Sequence, residues 1–401
     1  MTERSEERPA TEAVSSPRRW LERIKVNQFR SVEPGTELCF SEGLHVVLGK
    51  NASGKSTLLD LIAASLAVDF EQSSFADEPL DLEFTLRVGA LHLDMAIKRS
   101  LREANASGTA EDVEGLKRSL REQGRYVLRA PSGLKITVVL SSDDLPQRTV
   151  EGVDPARYGL DEPLKWRHQL PPLAPELGGL SNLWLEGSKT WESVVHLLGG
   201  DSFLGRWRDK SFRMAEGDEL LDELEGDDSF AILLGKSMNS HPYLLPEKLF
   251  KAFQLKASQL DGSALEMPLD LEPLLASFIR EMGFTEGRMS LGPPRVERHS
   301  GQEVFAYSSP TFIFYRDGHF VRRVDQLSYG QRRLFALGWY LCVCDIAILD
   351  EPSNGLHESW IAFLVSQLHG RQVFLTSQNR ELLDMLPFKT ETELSRGFVL
   401  C

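Results

Sequence analysis

Cysteine is scarce in this sequence. Cys39, Cys342, Cys344 and Cys401 are the four thiols among 401 residues. They show no disulfide framework and no CxxC pairs, and no His/Cys cluster stands near Cys342-Val343-Cys344 to complete a metal site. Reduced, structural thiols follow, and with them a cytoplasmic location. Long apolar runs are missing too. The longest, Leu334 to Cys344, falls short of the ~20 residues a membrane helix needs and reads as a buried helix. An excess of positive charge is also absent. The net charge of −14 argues against a surface coated with phosphate contacts, although a local basic groove formed in a dimer stays open. No heptad series is long enough for a coiled coil, and His45, His92 and the other histidines show no metal spacing such as H-E-x-x-H. Residues 1–19 read as a disordered N-terminal tail, because Met1 to Pro17 is polar and proline-bearing with no signal-peptide apolar core.

What remains is an alternation of strand and helix patterns. Arg23 to Phe29 alternates in polarity as a half-buried strand, and Glu37 to Phe40 reads as a second. Leu44 to Leu48 is a short apolar strand, and Ser56 to Ala67 an amphipathic helix. Leu80 to Val88 and Leu91 to Ile97 predict a hairpin across Gly89-Ala90, beside the core in an antiparallel sheet. Arg99 to Gln123 is expected to be helical, Tyr126 to Arg129 and Leu134 to Leu140 to be strands, and Pro146 to Pro175 irregular. Leu180 to Met282 reads as helical. It contains a basic, aromatic patch at Arg206 to Arg213 and an acidic run at Glu216 to Asp228, both read chiefly as solvated helix faces. Strands return at Phe305 to Tyr307, Thr311 to Tyr315 and His319 to Val324, with Asp317-Gly318 as a hairpin turn. The last segment alternates helix and strand, as in a parallel α/β unit.

Four motifs carry chemistry. Gly49-Lys50-Asn51-Ala52-Ser53-Gly54-Lys55-Ser56 matches G-x-x-x-x-G-K-[ST], with a strand before it and a helix after. Its backbone N–H groups and the helix N-terminus suit phosphate. Lys55 would reach the β- and γ-phosphates of ATP, and Ser56 would bind Mg²⁺, with Thr57 beside it. Ile346 to Leu349 is an apolar strand ending in Asp350-Glu351. Asp350 would hold the Mg²⁺ shell, and Glu351 would act as general base on water. Leu327-Ser328-Tyr329-Gly330-Gln331 opens a helix, giving a second anion site or a plain cap. Leu375-Thr376-Ser377-Gln378-Asn379 follows the last apolar strand.

Together these motifs resemble those of the ABC ATPases. Leu327 to Gln331 is similar to the family's Leu-Ser-Gly-Gly-Gln signature, with Tyr329 in place of a Gly, and Ser353 to His357 resembles its D-loop. The resemblance implies that Ser328, Gly330 and Gln331 bind the nucleotide held by a second copy's P-loop. Gln378 stands where the family usually has a His, and a Gln can hydrogen-bond but cannot carry a proton. Phe29-Arg30-Ser31 looks like the first-strand segment of RecF-like and SMC-like members, which would put Arg30 near the nucleotide. Gln72 is the Gln that follows the P-loop helix and would serve as the Q-loop ligand to the metal. The expectation is an α/β fold: a P-loop NTPase, ABC ATPase-like core in segments 20–100 and 321–401, with an antiparallel β subdomain and a large helical insertion across 101–320. The long separation of Lys55 from Ser328 favours the RecF/SMC-like branch and its relatives among the overcoming-lysogenization-defect phage-defence ATPases over transporter subunits. The cofactors implied are ATP and Mg²⁺. The partners implied are a second copy, a separate effector such as a nuclease, and DNA. The alternative is a sensor or scaffold that holds and releases a protein without touching DNA.

Overall fold

The computed structural model describes residues 19–67, 75, 78–88, 91–101, 120–129, 131, 133, 135–141, 147–152, 231–235, 239–240, 245–257, 263–299, 302–308, 310–344 and 346–401. Residues 1–18 of the expected tail, Gln72, the Gly89-Ala90 turn, the basic patch and the acidic run lie outside them, while Arg19, counted with the tail, opens the first strand.

The first half carries β1 (Arg19–Gln28), β2 (Thr36–Cys39), β3 (Leu44–Leu48), α1 (Lys55–Ala67), β4 (Leu80–Val88), β5 (Leu91–Leu101), β6 (Leu120–Arg129), β7 (Lys135–Ser141) and β8 (Gln147–Glu151). The second half continues with β9 (Ala231–Gly235), β10 (Asn239–Ser240), α2 (Glu247–Ala257), β11 (Leu265–Pro268), α3 (Pro273–Glu281), β12 (Glu286–Leu291), β13 (Arg295–His299), β14 (Gln302–Ser308), β15 (Thr311–Arg316) and β16 (His319–Arg323). It closes with α4 (Tyr329–Val343), β17 (Ala347–Leu349), α5 (Glu358–Gln367), β18 (Val373–Thr376), α6 (Arg380–Asp384), α7 (Glu391–Gly397) and β19 (Phe398–Leu400). Among the described residues, no helix is long and apolar enough to cross a membrane.

The central element is a parallel four-stranded sheet in the order β17-β18-β3-β19. Its neighbouring residues face two different cores, because side chains alternate along a strand. Val47, Ile346, Ile348 and Phe374 join Leu59, Ile62 and Leu66 of α1 and the apolar face of β1, β4 and β5. Val46, Ala347, Leu349, Val373 and Leu375 instead pack with Leu334, Leu337 and Leu341 of α4 and Ile361 and Leu364 of α5. Helix α1 is thus held between the parallel sheet and a seven-stranded antiparallel sheet in the order β2-β1-β4-β5-β6-β7-β8. One buried amide ties these sheets together: Gln372 accepts from Leu21 N at 2.8 Å and donates to the carbonyls of Leu21 and Ser41 at 2.8 and 2.7 Å.

Two further four-stranded antiparallel sheets run β10-β9-β14-β13 and β11-β12-β15-β16. The β15–β16 hairpin turns at Asp317-Gly318 as expected, with both residues left-handed at φ 51° and 77°, the conformation of a type I′ turn. Helix α3 packs closely on α4: a Cβ added at Gly338 would sit 2.6 Å from Phe278 Cγ.

Several local expectations are corrected. The helical reading of Leu180 to Met282 holds at α2 and α3 but gives way to strands at β9, β10 and β11. A short apolar run such as Ala231–Gly235 suits helix or strand equally until it finds a pairing partner, here β14. The charged stretch from Arg99 is strand to Leu101 and again from Leu120, because β5 and β6 extend each other's ladder from His92↔Arg129 to Leu101↔Leu120. Gln147–Glu151, expected to be irregular, pairs with β7. The antiparallel sheet therefore runs on past residue 101, and strands dominate the described part of the 101–320 segment. The closing strand β19, for which no expectation existed, adds parallel to β3.

Candidate functional site

In a parallel sheet all carboxyl ends open on one edge, the usual place for ligands in α/β folds. Strand β18 lies between β3 and β17, so the segments leaving all three strands meet. The P-loop leaves β3, Asp350-Glu351 leaves β17, and Thr376 to Gln378 leaves β18.

The P-loop has the backbone its motif demands. A Cβ on Gly49 would fall 2.2 Å from Ser53 Oγ and 2.9 Å from the Cys401 carbonyl oxygen, so no larger residue fits there. Ala52 and Gly54 are left-handed at φ 63° and 96°, a conformation that gathers successive N–H groups into an anion nest. Lys55 is 8% exposed. Its Nζ arches across the loop, 3.2 Å from the carbonyls of Gly49 and Lys50.

From this loop a chain of hydrogen bonds crosses the sheet edge. Ser56 Oγ donates to Asp350 Oδ2 at 2.7 Å. Thr376, fully buried, donates to Asp350 Oδ1 at 2.5 Å and accepts from Glu351 N at 2.9 Å. Glu351 is left-handed at φ 47°, an uncommon conformation for a residue with a side chain. Its Oε2 accepts from Gln378 N at 3.1 Å. The Gln378 side chain donates to Asn51 Oδ1 at 2.7 Å, which closes the circuit back to the P-loop.

Arg30, left-handed at φ 45° in the turn after β1, reaches the first turn of α1. Its Nη1 donates to Thr57 Oγ1 at 3.2 Å, and its Nε and Nη2 fork onto Glu78 at 2.8 and 2.7 Å. The guanidinium holds the Glu78 carboxyl below the usual range, and the same hydrogen bonds raise Arg30.

The signature residues form a second cluster. Ser328 caps α4, accepting from Gln331 N at 3.3 Å, while Gln331 Oε1 accepts from Ser328 N at 3.2 Å. Gln331 Nε2 donates to the Met282 carbonyl at 3.1 Å, so this side chain is spent on its own helix cap and on α3. A Cβ on Gly330 would meet the Gly355 carbonyl at 2.8 Å, and one on Gly355 would meet the Tyr329 ring at 2.2 Å. The signature turn thus packs directly on the loop after Glu351, while half of Tyr329 stays exposed.

The donor set fits a Mg²⁺-bound nucleoside triphosphate. Ser56 Oγ and Asp350 are hard oxygen ligands within hydrogen-bonding distance of each other. Ser53 Oγ and Glu351 Oε1 are buried without partners among the described residues. The remaining thiols carry no such chemistry. Burial pushes Cys342 up to about 12, and the described residues contain no His/Cys/Asp/Glu cluster able to hold a metal. Two contributors went unforeseen: Thr376 and Glu78. Thr376 was legible in part as a polar residue ending an apolar strand, but nothing in the sequence tied Glu78 to the site.

Two AAA-domain family models match the chain. One, described as "AAA domain, putative AbiEii toxin, Type IV TA system", matches residues 211–384, and the other, described as "AAA domain", matches residues 23–127. The second takes in the P-loop, the first the signature, Asp350-Glu351 and Gln378. No curated protein matches the chain. Among solved structures, the SMC head domain from Thermotoga maritima is 11% identical with a TM-score of 0.36, covering 92% of each chain. An Smc head domain from Pyrococcus furiosus bound to the C-terminal domain of ScpA is 12% identical with a TM-score of 0.33, again over 92% of each. The ATP complex of the recombination mediator protein RecF is 14% identical with a TM-score of 0.33, over 92% of this chain and 94% of that one. Overlaps of this depth carry no functional argument.

Proposed function

We propose that this chain, an AAA-domain protein with an ABC-type P-loop ATPase core similar to the RecF/SMC-like branch, is a Mg²⁺-dependent ATPase working as a two-state switch. The observation that carries this reading is the Ser56–Asp350 hydrogen bond of 2.7 Å between residues 294 positions apart. It joins a P-loop hydroxyl to a strand-end carboxylate flanked by a second one.

The geometry supports the following roles. The N–H nest of the P-loop, the N-terminus of α1 and Lys55 hold the β- and γ-phosphates of ATP. Ser56 and Asp350 would hold Mg²⁺, which supplies charge neutralisation on the phosphates. Glu351 takes the proton of the attacking water. Gln378 orients that water by hydrogen bonding and takes no proton. Arg30 would place a hydrogen-bond donor beside Thr57, with its charge paired to Glu78.

The second anion site, at Ser328 and Gly330, would act on a nucleotide held by another copy of the chain. Two copies then close around two ATPs with two-fold symmetry. ATP shifts the closed–open equilibrium only by its differential affinity for the two forms. The test is Glu351→Gln. It should trap an ATP-bound dimer in sizing chromatography with hydrolysis nearly abolished. Normal turnover in that variant would remove Glu351 as the base.

The biological task we propose is DNA repair or defence against phage, in the cytoplasm and with a separate effector such as a nuclease. The toxin–antitoxin description of the family matched at residues 211–384 supports the defence arm. Salt-sensitive stimulation of ATP hydrolysis by double-stranded DNA is the expected result. The net charge of −14 favours a second reading, an ATP-gated scaffold that releases a protein partner. A co-purifying protein released by ATP, with no response to DNA, would decide for it.

A further inference from the structure

Helix α4 contains an arginine that the proposed reaction has not yet used. Arg333 is 1% exposed, and a guanidinium stays charged at any physiological pH. Its Nη2 donates to the Glu351 carbonyl at 2.7 Å, and its Nε lies 3.5 Å from the Pro352 carbonyl. Both acceptors are main-chain oxygens. The contact therefore acts on the path of the backbone at Glu351 and leaves that residue's carboxylate to its other partners.

That path needs holding. Glu351 is left-handed and is followed by proline, which further restricts the residue before it. Such conformations persist where the surroundings over-determine them. Here Thr376 Oγ1 holds the Glu351 N–H, Gln378 N holds one carboxylate oxygen, and Arg333 holds the carbonyl. The stem of Arg333 cannot drift, because the first turn of α4 is pinned to the same loop by the close approach of Gly330 to the Gly355 carbonyl and of Tyr329 to Gly355.

We propose that Arg333 is a positioning residue for ATP hydrolysis, setting through the Glu351 carbonyl the direction in which the general base points. This rests on the reading of Glu351 as the base. It predicts a split between binding and turnover, since the hydrogen bonds of Arg333 go to the Glu351 and Pro352 carbonyls and, among the described residues, none goes to the P-loop.

The experiment compares the full-length wild type with Arg333→Gln, Arg333→Lys and Glu351→Gln. Steady-state hydrolysis gives kcat, and titration with a methylanthraniloyl-labelled ATP gives Kd. For Arg333→Gln, kcat should fall about 100-fold, the effect of a base displaced by an ångström or so, while Kd stays within about threefold. Arg333→Lys, which retains one donor for the Glu351 carbonyl, should recover part of the loss. A buried core variant on the neighbouring helix, Leu364→Ala, controls for lost stability and should keep kcat below its own melting range. The proposal is overturned if Arg333→Gln turns over near the wild-type rate, if it loses Kd and kcat together, or if Leu364→Ala loses kcat equally. Should Arg333→Gln not fold, Arg333→Lys decides: lowered kcat at unchanged Kd supports the role, and unchanged kcat refutes it. Normal hydrolysis by Glu351→Gln would instead refute the reading of the base.

Discussion

The side-chain amide of Gln378 donates to Asn51 Oδ1 at 2.7 Å, joining the end of β18 to the P-loop. The main-chain N–H of Gln378 meanwhile donates to Glu351 at 3.1 Å. One residue therefore touches both the phosphate-binding loop and the carboxylate proposed as base. Gln378→Ala should lower kcat at least about 10-fold, the scale of losing one water-orienting contact, with little change in ATP affinity. Gln378→His should retain hydrolysis, since an imidazole can make the same kind of hydrogen bond. Steady-state kinetics check both, and an Ala variant with wild-type kcat would leave Gln378 as a structural bridge only.

Lys55 is the P-loop cation, and its Nζ rests on the Gly49 and Lys50 carbonyls. Saturating Mg²⁺ and ATP should raise the melting temperature of the wild type, because a ligand at about 100 times its Kd stabilises by about 2.7 kcal/mol. Lys55→Ala should show almost no such rise, and chelating Mg²⁺ with EDTA should stop hydrolysis by the wild type. An unchanged thermal shift in Lys55→Ala would move the phosphate site elsewhere.

At the α3–α4 contact, Gly338 has Phe278 Cγ, Cβ and Cδ1 at 2.6 to 3.0 Å from where a Cβ would lie. Alanine is the better helix former by roughly 1 kcal/mol. Overpacking a core costs about 1–3 kcal/mol, and Phe278 Cβ sits too close to its own backbone to swing away. Gly338→Ala should therefore lower the urea midpoint despite the propensity gain. A higher midpoint would show that the two helices can separate at no cost.

His45 lies fully buried on β3, with its ring stacked on Phe374 and edge-on to Phe40. Burial holds its pKa below the ordinary histidine value. The unfolded chain then takes up a proton at a higher pH than the native one does. Below the unfolded value of about 6.5, stability should fall as pH falls, by at most ~1.4 kcal/mol per pH unit from this residue, until the native ring also protonates. Denaturant titrations at pH 7.5 and 5.5 should show a smaller loss for His45→Gln than for wild type. Equal losses would place the acid sensitivity elsewhere.

The difference between what was legible in the sequence and what was not is one of distance along the chain. The P-loop is a contiguous motif whose strand, glycines and helix are specified by neighbours, so Gly49 to Ser56 could be read directly. Asp350-Glu351 was legible for the same reason, as was the left-handed turn at Asp317-Gly318. Strands β9 and β11 were misread as helix because segments of four or five residues are too short to fix either period. The choice between them was made by β14 and β12, strands remote in sequence.

Taken alone, the sequence determined the P-loop, the Asp350-Glu351 pair and the signature turn, since each is built from adjacent residues with fixed backbone preferences. Only the tertiary structure decided which of them meet. Placing β18 between β3 and β17 put Thr376 on Asp350 and Gln378 on Asn51. Packing α4 against the loop after β17 put Arg333 on the Glu351 carbonyl. Sheet order and helix packing arise from burying apolar faces on remote partners, and no local pattern encodes which partner that is.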